Sequence, residues 1–275
     1  MTDVPHPRRD DTKPSGDRHA GRRDHADRHT PLGRSHGGIL ARTSSRLGTN
    51  FSLVLSLVVG LVIALVLSFT AERVYDSITE KDGVSGLDLP ILRFAMTLRS
   101  PILDSIITGY TNIAGPIGMP ILAAAALSIL AIHRRSWTPL ILVIAAGSGS
   151  LLMTIAGKNL TGRARPPLVD AVAPYEYSPS FPSGHTLNAV VIAGVVVYLV
   201  ILRQHSQRSR VLLTGAAVLF ALTIGLSRVF LGHHWFTDVL AGWVLGAAWL
   251  ALIITAHRFY LAARREHPES TSVSR

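Results

Sequence analysis

Six ionisable residues carry the chemistry this chain could do: Lys158 and Arg165, then His185, then Arg228, His234 and Asp238. They lie in three segments, Lys158-x6-Arg165-Pro166, Pro182-Ser183-Gly184-His185 and Ser227-Arg228-x5-His234-x3-Asp238. Each segment ends or opens a hydrophobic stretch. Ionisable groups at membrane-segment ends that can pool into one cavity read as a functional site. Guanidinium and ammonium groups hold an anion, and imidazoles serve nucleophilic attack and proton transfer. Together they make a phosphate-handling set.

Each cluster also has a blander reading. A guanidinium can grip phosphate with two parallel hydrogen bonds, and Lys158 adds a point charge. The same cations, Arg163 included, could be interfacial residues snorkelling toward water. Gly157-Lys158 is not a nucleotide loop, because Asn159 follows the Lys and the leading glycine is missing. Ser183-Gly184-His185 falls at a helix N-terminus, where free N–H groups and the dipole attract phosphate. Gly184 lets the backbone come close. Ser183 is expected to cap the helix and also donate to the anion, and His185 is placed to protonate a leaving oxygen. An ordinary helix cap is the alternative. His234 and Asp238 are four residues apart and share a helix face. An Asp behind an imidazole fixes its tautomer and supports the cation formed when the other nitrogen attacks. Arg228 can reach the same phosphate, whereas His233 points elsewhere. Paired His could bind a metal, but no acidic ligand set accompanies them, so no metal or other cofactor is expected.

Positioning these residues falls to membrane helices. The chain is 48% hydrophobic with mean hydropathy +0.35, and only 16% is charged, against roughly 25% in soluble domains. Apolar runs of about 17–22 residues match the bilayer at 1.5 Å rise per residue. Six spans are expected: about Phe51–Ala71, Gly118–Ile132, Trp137–Gly157, His185–Leu202, Val211–Leu226 and Phe236–His257. Ile102–Ala114 is a kinked extension of the second span or a separate short helix, and Leu87–Leu98 is a short helix within the loop 72–101. Gly147-Ser-Gly-Ser on the third span and Gly242-x3-Gly246 on the sixth read as packing seams. Residues 1–46, rich in Arg, Asp, His, Gly and Pro, read as a disordered basic tail. Residues 47–258 form the six-span domain and 259–275 a C-terminal tail.

The net charge is +10. The basic residues fall in tails and short loops, so topology and anionic lipid explain them better than nucleic acid does. The positive-inside rule puts both termini in the cytoplasm and loops 158–184 and 227–235 outside. All three clusters then share one extracytoplasmic face. The chain has no cysteine, which excludes disulfides, thiolate chemistry and Cys-zinc sites.

In residue type, spacing and order, the three segments resemble the signature motifs of the type 2 phosphatidic acid phosphatase (PAP2) superfamily. The resemblance covers roughly residues 50–258. It implies an all-α six-transmembrane-helix bundle and metal-independent hydrolysis of phosphate esters or anhydrides. It further implies that His234 is the nucleophile forming phosphohistidine, oriented by Asp238, and that His185 is the general acid. Lys158, Arg165, Ser183, Gly184 and Arg228 would hold the phosphate.

The expected function is a lipid phosphatase of a bacterial cytoplasmic membrane. Undecaprenyl diphosphate is the first candidate substrate, with phosphatidic acid or phosphatidylglycerophosphate next. A lipid phosphotransferase and a non-catalytic lipid-binding or transport protein are the rival readings.

Overall fold

The computed structural model describes residues 31–134 and 137–266. The expected tails before residue 31 and after residue 266 lie outside the described residues. The chain divides between Thr49 and Asn50, and the site belongs to the part that begins at Asn50.

Among the described residues, eight α-helices follow one another: α1 (Pro31–Glu80), α2 (Asp88–Thr97), α3 (Pro101–Thr111), α4 (Gly118–Arg134), α5 (Thr138–Thr161), α6 (Gly184–Ile201), α7 (Gln207–Phe230) and α8 (Phe236–Glu266). No strand occurs among the described residues. Residues 31–46 are helical, although composition reads them as part of the unstructured tail. Pro31 suits a first helical position, and no later proline interrupts α1. At the other end, α8 continues past His257 because no Gly or Pro stops it before Pro268.

Among the described residues, five helices are long and apolar enough to cross a membrane, in the segments Leu57–Glu80, Thr138–Thr161, Gly184–Ile201, Gln207–Phe230 and Phe236–Ala262. The pair α3–α4 adds a sixth crossing if its two halves count as one, bent by 53°. The break lies at Gly115-Pro116, where the proline ring and missing N–H end a helical ladder. This is the expected all-α polytopic bundle. The short helix expected near 87–98 is present as α2.

α6 is the central helix and packs against α5, α7 and α8. Its fully buried residues Leu187, Val191, Val195 and Leu199 recur every fourth position, which lines up one face. Both packing seams read from the glycines are present. A Cβ at Gly246 would stand 2.9 Å from Val190, and one at Gly149 would strike the Trp249 ring. The outward faces of α5 and α7 stay apolar, with Ile141, Leu152, Leu212 and Leu219 exposed. Because α5 to α8 run alternately up and down, the C-ends of α5 and α7 meet the N-ends of α6 and α8. That single end of the bundle gathers all three polar clusters.

Candidate active site

α5 ends just past Lys158 at Gly162, which adopts a left-handed conformation (φ 56°) and releases the chain toward Arg163 and Arg165. α7 delivers Arg228 in its last turn. Gly232 (φ 71°) then turns the chain toward His233 and His234, and a Cβ there would meet the Asp170 carbonyl at 2.3 Å. α6 begins at Gly184 with His185 in its first turn, and α8 begins two residues after His234 with Asp238 facing inward. Lys158, Gly184, His185 and His234 line one cavity of about 530 Å³, together with Glu176, Ser178 and Asn188.

His234 is fixed at both ring nitrogens. Nδ1 faces Asp238 Oδ2 at 3.5 Å and Ser180 Oγ at 3.4 Å. Nε2 faces Arg165 Nη1 at 3.3 Å. Asp238, wholly buried, holds its own place through Ser180, Arg163 and the Trp235 backbone N–H at 2.9 Å. Burial, then the charges of Arg165 and Arg228, push His234 well below the ordinary histidine range. The lowered pKa favours the neutral imidazole, whose Nε2 lone pair faces the Arg165 N–H.

Arg165 and Arg228 converge on one carboxylate. Glu176 pairs with Arg165 Nη2 at 2.8 Å through Oε2 and with Arg228 Nη2 through Oε1. Burial would raise the Glu176 carboxyl, but Arg228, His234 and Arg165 outweigh it and hold its pKa down at about 2. Two guanidinium groups that converge on one carboxylate can also grip two oxygens of a phosphate. Lys158 Nζ donates to Ser178 Oγ at 2.6 Å on the same loop. Arg228 is almost fully buried and also reaches Thr111 Oγ1 at 3.5 Å, which ties α7 to α3.

Two sequence expectations change. Ser183 does not cap α6 through its side chain. Its Oγ instead accepts from Thr186 Oγ1 at 2.9 Å, because the whole residue is buried against α8. Arg163, grouped by sequence with the anion-binding cations, serves carboxylates. It bonds Asp88 Oδ2 at 2.6 Å, Asp238 Oδ1 and Thr237 Oγ1 at 2.8 Å. His233 turns away as expected, meeting the Val172 carbonyl at 2.7 Å. Burial and the charge of Arg228 lower its pKa to about 4.

Sequence reasoning missed Glu176, Asp88 and Ser180. Asp88 opens α2, takes the Thr237 backbone N–H at 2.8 Å and so caps the helix that carries Asp238. An acid at the start of a short amphipathic helix beside membrane spans was the available signal for it. Glu176 and Ser180 sit in a polar loop where neither residue type stands out.

The family model for the PAP2 superfamily matches residues 137–261. Phosphatidylglycerophosphatase B of Bacillus subtilis (strain 168) is 32% identical over 168 residues, covering 60% of this chain and 80% of its own length. The crystal structure of a transmembrane PAP2 type phosphatidylglycerolphosphate phosphatase from Bacillus subtilis superposes with a TM-score of 0.66 at 26% identity, over 71% of this chain and 96% of that one. Aquifex aeolicus LpxE aligns with a TM-score of 0.47 at 25% identity, over 62% of this chain and 95% of that one. With its motifs at one end of a helical bundle and a relative matched along most of its length, this chain belongs to the PAP2 superfamily of membrane phosphatases.

Proposed function

We propose that the chain hydrolyses the phosphate monoester of a membrane glycerolipid, phosphatidylglycerophosphate first, through a phosphohistidine at His234. The observation that carries this reading is the setting of His234, which lines the cavity with Nδ1 turned to Asp238 and Nε2 turned to Arg165. Nε2 attacks phosphorus as the ester P–O bond breaks. His185, lining the same cavity, gives its proton to the departing lipid oxygen. Asp238 supports the cationic ring that results. Water then attacks the phosphohistidine, returns a proton to His185 and releases phosphate. Arg165, Arg228, Lys158 and the first-turn N–H groups of α6 hold the phosphoryl oxygens throughout.

The names of the Bacillus subtilis relatives favour a glycerolipid as the first substrate to test. Undecaprenyl diphosphate and phosphatidic acid complete the panel. We place the site on the extracytoplasmic face of the cytoplasmic membrane, with both termini inside, from the Arg203, Arg208 and Arg210 charges at the opposite end of the bundle. The test is phosphate release from this panel by purified protein in detergent containing EDTA. Release of phosphate supports hydrolysis. Its absence, with phosphate transferred to an added alcohol instead, favours the phosphotransferase. Loss of activity in EDTA, restored by one divalent ion, would contradict the covalent-histidine route. No turnover of any lipid would leave the binding or transport reading.

A further inference from the structure

The active-site cavity extends beyond the phosphate groups into the apolar part of the bundle. On α5 it is lined by Lys158, then Thr154, then Leu151, about 10 Å of helix at 1.5 Å per residue. On α6 it runs from His185 to Asn188, one turn deeper on the same face. The far wall is Ala114 and Pro116, at the break between α3 and α4. Its deep end is therefore apolar except for two side chains. Thr154 spends its hydroxyl hydrogen on the Ser150 carbonyl at 2.9 Å. Asn188 is the other.

Ser150, fully buried on α5, donates its hydroxyl to Asn188 Oδ1 at 2.5 Å. That bond fixes the amide plane and leaves the –NH2 group as what Asn188 offers to the cavity. No described residue accepts from it. A carboxamide one turn inside an apolar span is costly, and here its carbonyl is satisfied while its donors face the space where substrate must lie.

We propose that Asn188 is a specificity residue: its amide donates to an oxygen on the carbon next to the phosphate ester, selecting glycerol-type phosphates over prenyl phosphates. The inference rests on the phosphatase reading above. His185 protonates the leaving oxygen, so the leaving alcohol continues from His185 into the deep end. Three residues of helix rise about 4.5 Å, a distance that suits a group one carbon beyond the ester. A glycerol backbone carries a hydroxyl or ester oxygen there. A prenyl chain carries only carbon and leaves the amide unpaired, and sites that lose a hydrogen bond in this way discriminate strongly.

The test is a cycle between enzyme and substrate. A 1-acyl-glycerol 3-phosphate with a free 2-hydroxyl and its 2-deoxy analogue are hydrolysed by wild type and by Asn188→Ala. Since Asn188 is only partly buried, wild type should favour the hydroxylated lipid by about tenfold in kcat/KM, and Asn188→Ala should shrink the preference to about twofold or less. Ser150→Ala, which keeps the amide but frees its plane, should fall between. Thermal melting of each variant separates this role from plain interhelical packing, which would lower the melting temperature and leave the substrate ratio unmoved. Equal kcat/KM for the two lipids in wild type would overturn the inference even if Asn188→Ala failed to fold, and so would an unchanged ratio in a folded variant. Failure of wild type to release phosphate from either lipid would instead defeat the phosphatase reading, and this inference with it.

Discussion

Glu176, which lines the cavity, meets Arg165 at 2.8 Å, and the same carboxylate reaches Arg228 on its other side. The guanidinium groups proposed to bind phosphate are thus already paired with an internal anion, which the proposed substrate would have to displace. Glu176→Gln removes that competitor. Orthovanadate, a phosphate mimic, should inhibit the variant more tightly, on the order of tenfold, because less of the protein is held in the occluded form. The Glu176 carboxyl titrates at about 2 against an ordinary 4.5. Its pairing therefore stabilises the fold fully above pH 4.5 and is lost only as pH falls through about 2. The gain in vanadate affinity should accordingly be constant from pH 5 to 8, as inhibition curves at several pH values will show.

Asp88 sits outside the segment matched by the family model, yet it bonds both Arg163 and the start of α8. Asp88→Asn keeps an acceptor for the Thr237 N–H and loses the charge that Arg163 balances. We expect kcat to drop about 10- to 100-fold with little change in KM, since small displacements of a catalytic constellation cost that much. Steady-state kinetics decide it: a rise in KM at constant kcat would mean that Asp88 acts on binding.

The sequence makes the site's outline legible for a physical reason. Lys158, Arg165, His185, Arg228, His234 and Asp238 are polar residues at the ends of apolar runs, where hydropathy alone shows them. Alternating spans then bring α5, α6, α7 and α8 to one end. Partnerships are not legible in the same way. Asp88 and Asp238 share Arg163 across separations of 75 residues each, and nothing local marks the pairing. Arg163 reads like Arg165 until the fold shows Arg163 turned to Asp88 and Asp238, and Arg165 to Glu176 and His234. The break at Gly115-Pro116 was visible, but its place in the cavity wall depends on how α3 packs on α7. Tyr110 and Thr223 fix that contact at 2.5 Å.

The pH profile should report the lowered pKa of His234. A histidine nucleophile must be neutral, and neutrality is reached above its pKa. Burial and the charges of Arg165 and Arg228 move that pKa down, so the proposed nucleophile would be ready at lower pH than a free histidine. The acid limb of kcat/KM, once the substrate's own ionisation is divided out, should lie below the unperturbed value of about 6.5. A limb at or above that value would contradict the burial argument.

Removal of His185 should depend on the leaving group. A lipid alcohol leaves poorly without a proton, whereas p-nitrophenolate needs little help. His185→Ala should cut lipid monophosphate hydrolysis by about 10²–10⁴-fold, the usual worth of a general acid. Hydrolysis of p-nitrophenyl phosphate should suffer far less. Equal losses on both substrates would assign His185 to phosphate binding instead.

The central claim is that phosphate passes through His234, and rapid quenching with a phosphate-labelled substrate tests it most directly. Wild type should trap an acid-labile, base-stable label on the protein, and His234→Ala should trap none while remaining folded by thermal melting. A label of undiminished size in His234→Ala, or one stable to acid, would contradict the account.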